Sequence, residues 1–131
     1  ENDSRIVYKG LVSNELVMKA QKEADILINP RPISEGISLY TFPSKLLEYM
    51  VSGTPVITTK LNGITNDYLP HLFIVENETP ECLATTIKYV FSIDPTQLRK
   101  FGEEAMNFII NNKNWYLQCK RIHDFSLSLF T

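Results

Sequence analysis

The chain has 131 residues, of which 44% are hydrophobic and 21% are charged, and this balance predicts one compact globular domain. Its net charge of −2 leaves no excess of basic residues to neutralise a series of phosphates, which argues against a dedicated nucleic-acid-binding protein. A membrane-spanning helix needs about 20 consecutive apolar residues, and the sequence contains no such run. We therefore expect neither a nucleic-acid binder nor a transmembrane segment.

Short apolar runs alternate with amphipathic segments from the start of the chain. The apolar runs are predicted as strands at residues 5–9, 26–29, 55–59 and 72–75. Helices are predicted to start at or just after Ser13, Pro43, Thr79, Asp94 and Trp115, with a short one at residues 66–69. This order predicts an α/β fold, a Rossmann-like parallel sheet of about four strands with flanking helices.

The predicted sheet is smaller than the usual Rossmann layer, which has about six strands. The chain therefore resembles the second half of such a domain, with one sheet edge that earlier strands would cover. An uncovered edge strand invites pairing with another chain. We expect the isolated chain to self-associate through this edge.

The loop that follows the second strand leads into a helix announced by Pro43. Pro43 has no N–H to contribute. The amides of Ser44, Lys45 and the next residue have no partner within the helix and are predicted to point out of its end. The helix dipole places about half a positive charge there, and the Ser44 hydroxyl and Lys45 ammonium add donors. This arrangement predicts a site for a phosphate or a diphosphate.

Glu48 lies four residues after Ser44, on the same helix face and about one turn (~5.4 Å) along the axis. Its carboxylate could accept hydrogen bonds from two neighbouring ribose hydroxyls, as an acidic residue does in dinucleotide-binding folds. Phosphate at the helix end and ribose one turn further is the layout of a nucleoside diphosphate. From spacing alone, Glu48 could equally be a solvated residue or a partner of Lys45.

Residues 42–57, FPSKLLEYMVSGTPVI, closely resemble the signature of the group 1 (family 4) glycosyltransferases. Residues 8–16 and 24–30 are also similar to strand and loop segments of that family, and the closing helices with Trp115 resemble its last helix pair. The resemblance covers nearly the whole chain. It implies that residues 1–131 are part of the C-terminal, nucleotide-sugar-binding domain of a GT-B glycosyltransferase.

This resemblance implies an enzyme of the hexosyltransferase type that transfers a sugar from a nucleotide-diphosphate donor with retention at the anomeric carbon. It implies no catalytic metal and no cofactor besides the donor, and it suggests a surface polysaccharide as product. Ser44 and Lys45 match the family's helix start at the diphosphate, and Glu48 matches the second glutamate of its E-x7-E motif, which holds the ribose.

The first glutamate of that motif, which faces the donor sugar, corresponds to Tyr40 in this chain. Tyrosine can form hydrogen bonds but cannot act as a carboxylate, and Glu35, in the same loop, is a candidate substitute. Arg31 follows the second predicted strand and is a candidate contact for phosphate or acceptor, or an ordinary surface residue. His71 and His123 lack ligand partners at metal-binding spacing, so no metal site is predicted.

The family's acceptor-binding N-terminal domain and the basic residues that assist the leaving group have no counterpart among these residues. We therefore expect the isolated chain to transfer no sugar. The widely separated Cys82 and Cys119 are typical of reduced thiols in a cytoplasmic protein. The full-length protein could be peripheral to the inner face of a membrane. Two alternatives remain, a non-catalytic nucleotide-binding module and an unrelated phosphate-binding or interaction module of the α/β class.

Overall fold

Helices and strands alternate through the first half of the chain and helices follow in the second half, as the periodicity predicts. The computed structural model describes residues 3–33 and 41–130. In chain order the elements are α1 (Asn14–Glu23), β1 (Leu27–Asn29), α2 (Ser44–Val51), β2 (Val56–Thr59), a 3₁₀-helix (Leu69–His71), β3 (Phe73–Val75), α3 (Pro80–Ser92), α4 (Pro95–Asn112) and α5 (Trp115–Ser128).

The sheet has the strand order β1-β2-β3, and both pairs of neighbours are parallel. Leu27 lies opposite Val56 in the first pair, and Ile57 lies opposite Phe73 in the second. The predicted α/β class with a parallel sheet and flanking helices is therefore confirmed. The predicted number of strands is wrong, because the described residues form a sheet of three strands rather than four.

The missing strand is the run at residues 5–9, which forms no strand. Its apolar side chains are open to solvent, with Ile6 78% and Tyr8 91% exposed. A β-type sequence reflects a preference for a pleated, half-buried surface and needs a neighbouring strand to pair with. No strand in the described part of the chain pairs with residues 5–9, so the run lies on the surface without regular secondary structure.

Local capping explains where most of the helices begin. The side chains of Ser13, Thr79 and Asp94 each accept a hydrogen bond from a backbone amide in the first turn of α1, α3 and α4. Asn114 caps α5 in the same way. The short helix predicted at residues 66–69 forms further along, as the 3₁₀-helix with Pro70 in its first turn, where a missing N–H costs nothing.

The central strand β2 is fully buried and separates two small hydrophobic cores. One face packs beneath α2 and α4 and contains Leu46, Met50 and Ile109. The other face packs beneath α3 and contains Ile57, Val75 and Val90. Since Leu46 and Met50 are completely buried, α2 is anchored along one side while its other side stays open.

The carboxyl end of α2 is fixed by a close approach of α4. Gly53 ends the α2 segment with a φ of +79°, a conformation that glycine adopts without steric cost. Gly102 of α4 lies directly over this turn, and a Cβ at position 102 would overlap the Gly53 carbonyl. The two glycines therefore allow α4 to pack closely on the turn that joins α2 to β2.

Candidate functional site

Helix α2 begins with the two exposed residues that the sequence singled out, Ser44 and Lys45. The preceding Pro43 is buried and provides no side-chain cap. The amides of Ser44 and Lys45 donate to no acceptor within residues 3–33 and 41–130, so the structure leaves both available to a ligand. The amide of the next residue was expected to be free as well, and that prediction is wrong, because Leu46 donates to the Pro43 carbonyl at 2.8 Å.

Glu48 lies on the open side of α2, where it lines a cleft of about 540 Å³ between α1 and α2. This volume falls within the range of small-molecule sites. The α1 wall of the cleft includes Asn14, Met18 and Gln21, and the α2 wall includes Leu47 and Glu48. The predicted ribose-binding carboxylate is thus present at the edge of a space that can hold part of a nucleotide.

The Glu48 carboxylate also contacts Lys45, with 3.3 Å between Oε2 and Nζ. Lys45 is thus the partner of Glu48 that the sequence spacing allows as an alternative to a ribose. Both side chains are more than half exposed, at 59% for Lys45 and 54% for Glu48. An exposed pair of this kind contributes at most about 1 kcal/mol to stability. A ligand that offers phosphate to Lys45 and hydroxyls to Glu48 could therefore replace the pair at little cost.

A buried polar contact holds the two walls of the cleft together. The Thr54 hydroxyl donates to the carbonyl of Gln21 at 2.6 Å, and both residues are buried. Thr54 lies in the turn after α2, so the bond joins α1 to the far end of α2. No local sequence pattern indicates this contact, because its partners are 33 positions apart.

Arg31 lies in a different place, just beyond the carboxyl end of β1. Its carbonyl accepts a hydrogen bond from the Thr59 hydroxyl at 2.6 Å, and its side chain lines a second cleft of about 300 Å³. Asn77 and Glu78 form part of the opposite wall. Arg31 and Glu48 thus line separate clefts, and whether Arg31 contacts phosphate or acceptor stays a prediction.

The two residues proposed for the sugar side of the site, Glu35 and Tyr40, lie outside the described residues. Their roles therefore remain predictions from the sequence. The described chain resumes at Thr41, directly before Phe42 and the helix start. Three residues, Thr41, Phe42 and Pro43, thus separate the sugar-side candidate Tyr40 from the diphosphate candidate Ser44 at the start of α2.

An aromatic cluster lies behind the helix start, and the sequence analysis did not predict it. The Phe42 and Tyr68 rings are 5.1 Å apart, and Phe108 meets Tyr68 edge to face at 5.3 Å. The Lys113 ammonium lies 4.6 Å from the centre of the Tyr68 ring and contacts Asp67 at 2.5 Å. The hydrogen bond from Lys113 lowers the pKa of Asp67, and burial raises the pKa of Tyr68.

Two further features bear on the class of protein. Within the part of the chain that the structure describes, no three His, Cys, Asp or Glu side chains come together as a set that could hold a metal ion. Among the same residues, no helix combines the length and apolarity needed to cross a lipid bilayer.

Comparison with known proteins adds an independent observation. Residues 1–92 match the sequence model of a family described as "Glycosyl transferases group 1". No curated protein and no solved structure gave a significant match. The matched range is more than half of the chain and includes α1, the whole sheet, α2 and the candidate residues of both clefts. The chain therefore belongs to the group 1 glycosyltransferases.

Proposed function

We propose that this chain binds the nucleoside diphosphate part of a sugar donor for retaining sugar transfer of the hexosyltransferase type. In this proposal the diphosphate lies at the amino end of α2 against Ser44 and Lys45. The ribose lies one turn along the helix, where Glu48 accepts hydrogen bonds from its hydroxyls. Membership of the group 1 glycosyltransferases supports sugar transfer in general.

One observation carries the proposal, namely the open amide pair of Ser44 and Lys45 at the start of α2. The Ser44 and Lys45 amides are available, whereas the Leu46 amide is held by Pro43. Helix α2 has eight residues and no acidic residue in its first turn to offset the positive end of its dipole. An anionic group with several acceptor oxygens is the ligand that best satisfies these donors.

The same arrangement would assist the chemical step. When the bond between sugar and diphosphate breaks, negative charge grows on the departing β-phosphate. Hydrogen-bond donors that already point at this position stabilise the charge without reorganising. One such donor can lower the activation free energy by about 3 kcal/mol. Lys45 adds a mobile positive charge beside the fixed amides of Ser44 and Lys45. The nucleotide sugar is itself the substrate. In line with the family resemblance, the proposal includes no further cofactor and no catalytic metal.

The acceptor side of the reaction is proposed to lie on another domain of the full-length protein. A surface polysaccharide is the product that the family resemblance suggests, made at the inner face of a membrane. The β1 strand has no partner on its outer side in the described chain, and Ile28 is 37% exposed there. We propose that the isolated chain self-associates through this edge and transfers no sugar by itself.

Calorimetric titration of the chain with UDP, GDP and ADP, and separately with inorganic phosphate, tests the proposal. We expect at least one nucleoside diphosphate to bind about tenfold more tightly than phosphate, because hydrogen bonds from ribose hydroxyls to a carboxylate add about 1.5 kcal/mol or more. Equal affinity for phosphate and for all three nucleotides would contradict the proposal and favour a general anion-binding module.

A further inference from the structure

A cluster of aromatic rings lies behind the start of α2. Phe42 immediately precedes Pro43, and its ring packs 5.1 Å from that of Tyr68. Tyr68 is 7% exposed and belongs to the same core as Leu46 and Met50. Tyr68 therefore packs between this core and the residue that comes two positions before the first turn of α2.

Tyr68 is in turn fixed by a charge from the end of α4. The Lys113 ammonium lies 4.6 Å from the Tyr68 ring and 5.5 Å from the Phe108 ring, within the range of cation–π attraction. It also contacts Asp67, the residue next to Tyr68, at 2.5 Å. The Lys113 side chain is only 14% exposed, in contrast to the 59% of Lys45. The Lys113 ammonium is therefore better shielded from water and salt than that of Lys45, whereas the Asp67 carboxylate, at 49%, is nearly as exposed as that of Glu48, at 54%.

The turn that carries Asp67 also touches the backbone before α2. A Cβ at Gly63 would overlap the Thr41 carbonyl and would lie against the Phe42 amide, so glycine allows the two segments to approach this closely. Thr65 donates to Asp67 within the same turn. Gly63 and Tyr68 thus lie against residues 41 and 42, and Lys113 contacts Asp67 and Tyr68 of the same segment.

We infer that Lys113 and Asp67 are positioning residues for the Ser44 and Lys45 amides, acting through Tyr68 and Phe42. The inference rests on the proposed function in so far as those amides bind the diphosphate. The pair contacts no ligand itself. It fixes the direction in which two backbone donors point, and a preorganised donor binds an anion more tightly than one that must first be ordered.

Hydrogen exchange of the Leu46 amide tests the inference without any ligand, because its bond to the Pro43 carbonyl closes the first turn. In Lys113→Met we expect this amide to exchange about tenfold faster, because the change removes the cation–π contact with Tyr68 and the ion pair with Asp67. Lys113→Arg keeps the charge and should restore the rate to within about twofold. The matched control is Lys100→Met, which removes an exposed ion pair with Glu104 on the same helix.

Two further measurements separate positioning from general destabilisation. The Leu83 amide, in the first turn of α3 beneath the other face of the sheet, should keep its wild-type exchange rate in Lys113→Met. The affinity for the tightest of UDP, GDP and ADP should fall by about threefold to tenfold in Lys113→Met and Asp67→Asn, and recover in Lys113→Arg.

The possible results are distinguishable. Equal Leu46 exchange in wild type and Lys113→Met would overturn the inference, and so would equal acceleration at Leu46 and Leu83. Faster exchange at Leu46 with unchanged nucleotide affinity would also overturn it, since the amides would then not depend on the pair. If the wild type binds none of the three nucleotides, the proposed function fails, and the exchange rates still decide whether the pair orders the helix start.

Discussion

Replacing Glu48 with glutamine is expected to weaken binding of UDP, GDP and ADP by about tenfold, because a neutral amide accepts hydrogen bonds from ribose hydroxyls less strongly than a carboxylate. The side chain keeps its size, so the cleft between α1 and α2 keeps its shape. The change also frees Lys45 from its 3.3 Å contact with Glu48. Binding of inorganic diphosphate should therefore be unchanged or slightly tighter, while nucleotide binding falls.

The different responses of nucleotide binding and diphosphate binding distinguish a ribose contact from a general effect of charge. Calorimetry on the isolated chain can measure both affinities. Glu104→Gln is the matched control, because it breaks an exposed pair with Lys100 on α4 that lines neither cleft. It should leave both affinities unchanged. If Glu48→Gln and the wild type bind every nucleotide equally, Glu48 does not hold the ribose and serves only as a partner of Lys45.

Replacing Gly102 with alanine is expected to lower the free energy of unfolding by about 2 kcal/mol, even though alanine is favoured over glycine inside a helix by about 1 kcal/mol. The added Cβ would overlap the Gly53 carbonyl and approach the ring of Pro55 at 3.2 Å. Neither group can move without displacing the turn between α2 and β2. Helix α4 must therefore move outwards and lose part of its packing on α2.

Urea unfolding followed by circular dichroism measures this change. Glu103→Ala is the control, since it places alanine at an exposed position in the same helix and removes no buried contact. It should alter the free energy of unfolding by less than about 0.5 kcal/mol. A Gly102→Ala chain as stable as the wild type, or more stable, would show that α4 does not approach the turn this closely.

The helix starts could be predicted well because their signals are local. Ser13, Thr79 and Asp94 cap helices within three residues of themselves, and such contacts depend on little else in the fold. The apolar runs predict β1, β2 and β3, and the structure confirms all three as strands. Burial on both sides was expected for residues 26–29, but β1 lies at the sheet edge and is only partly buried. Residues 5–9 have a similar pattern, but a strand also needs a neighbour, and the sequence of one segment does not report whether that neighbour is present.

The candidate site could be predicted only in its local part. The order of Pro43, Ser44 and Lys45 predicts exposed amides at a helix start, and the structure shows two of the three expected free donors. The support behind that start depends on contacts between distant positions, such as Lys113 with Asp67, which are 46 residues apart. By its local sequence, a lysine at the end of a helix is an ordinary surface residue. Only the fold shows that Lys113 packs against the Tyr68 and Phe108 rings.

The most direct measurement of the central claim is an NMR titration of the ¹⁵N-labelled chain that follows the Ser44 and Lys45 amides. We expect both amide signals to move when UDP, GDP or ADP is added, whichever binds, and to stay in place when the corresponding nucleoside without phosphates is added. Signals that stay in place while the nucleotide binds elsewhere on the chain would contradict the claim, because the diphosphate would then not lie at the amino end of α2.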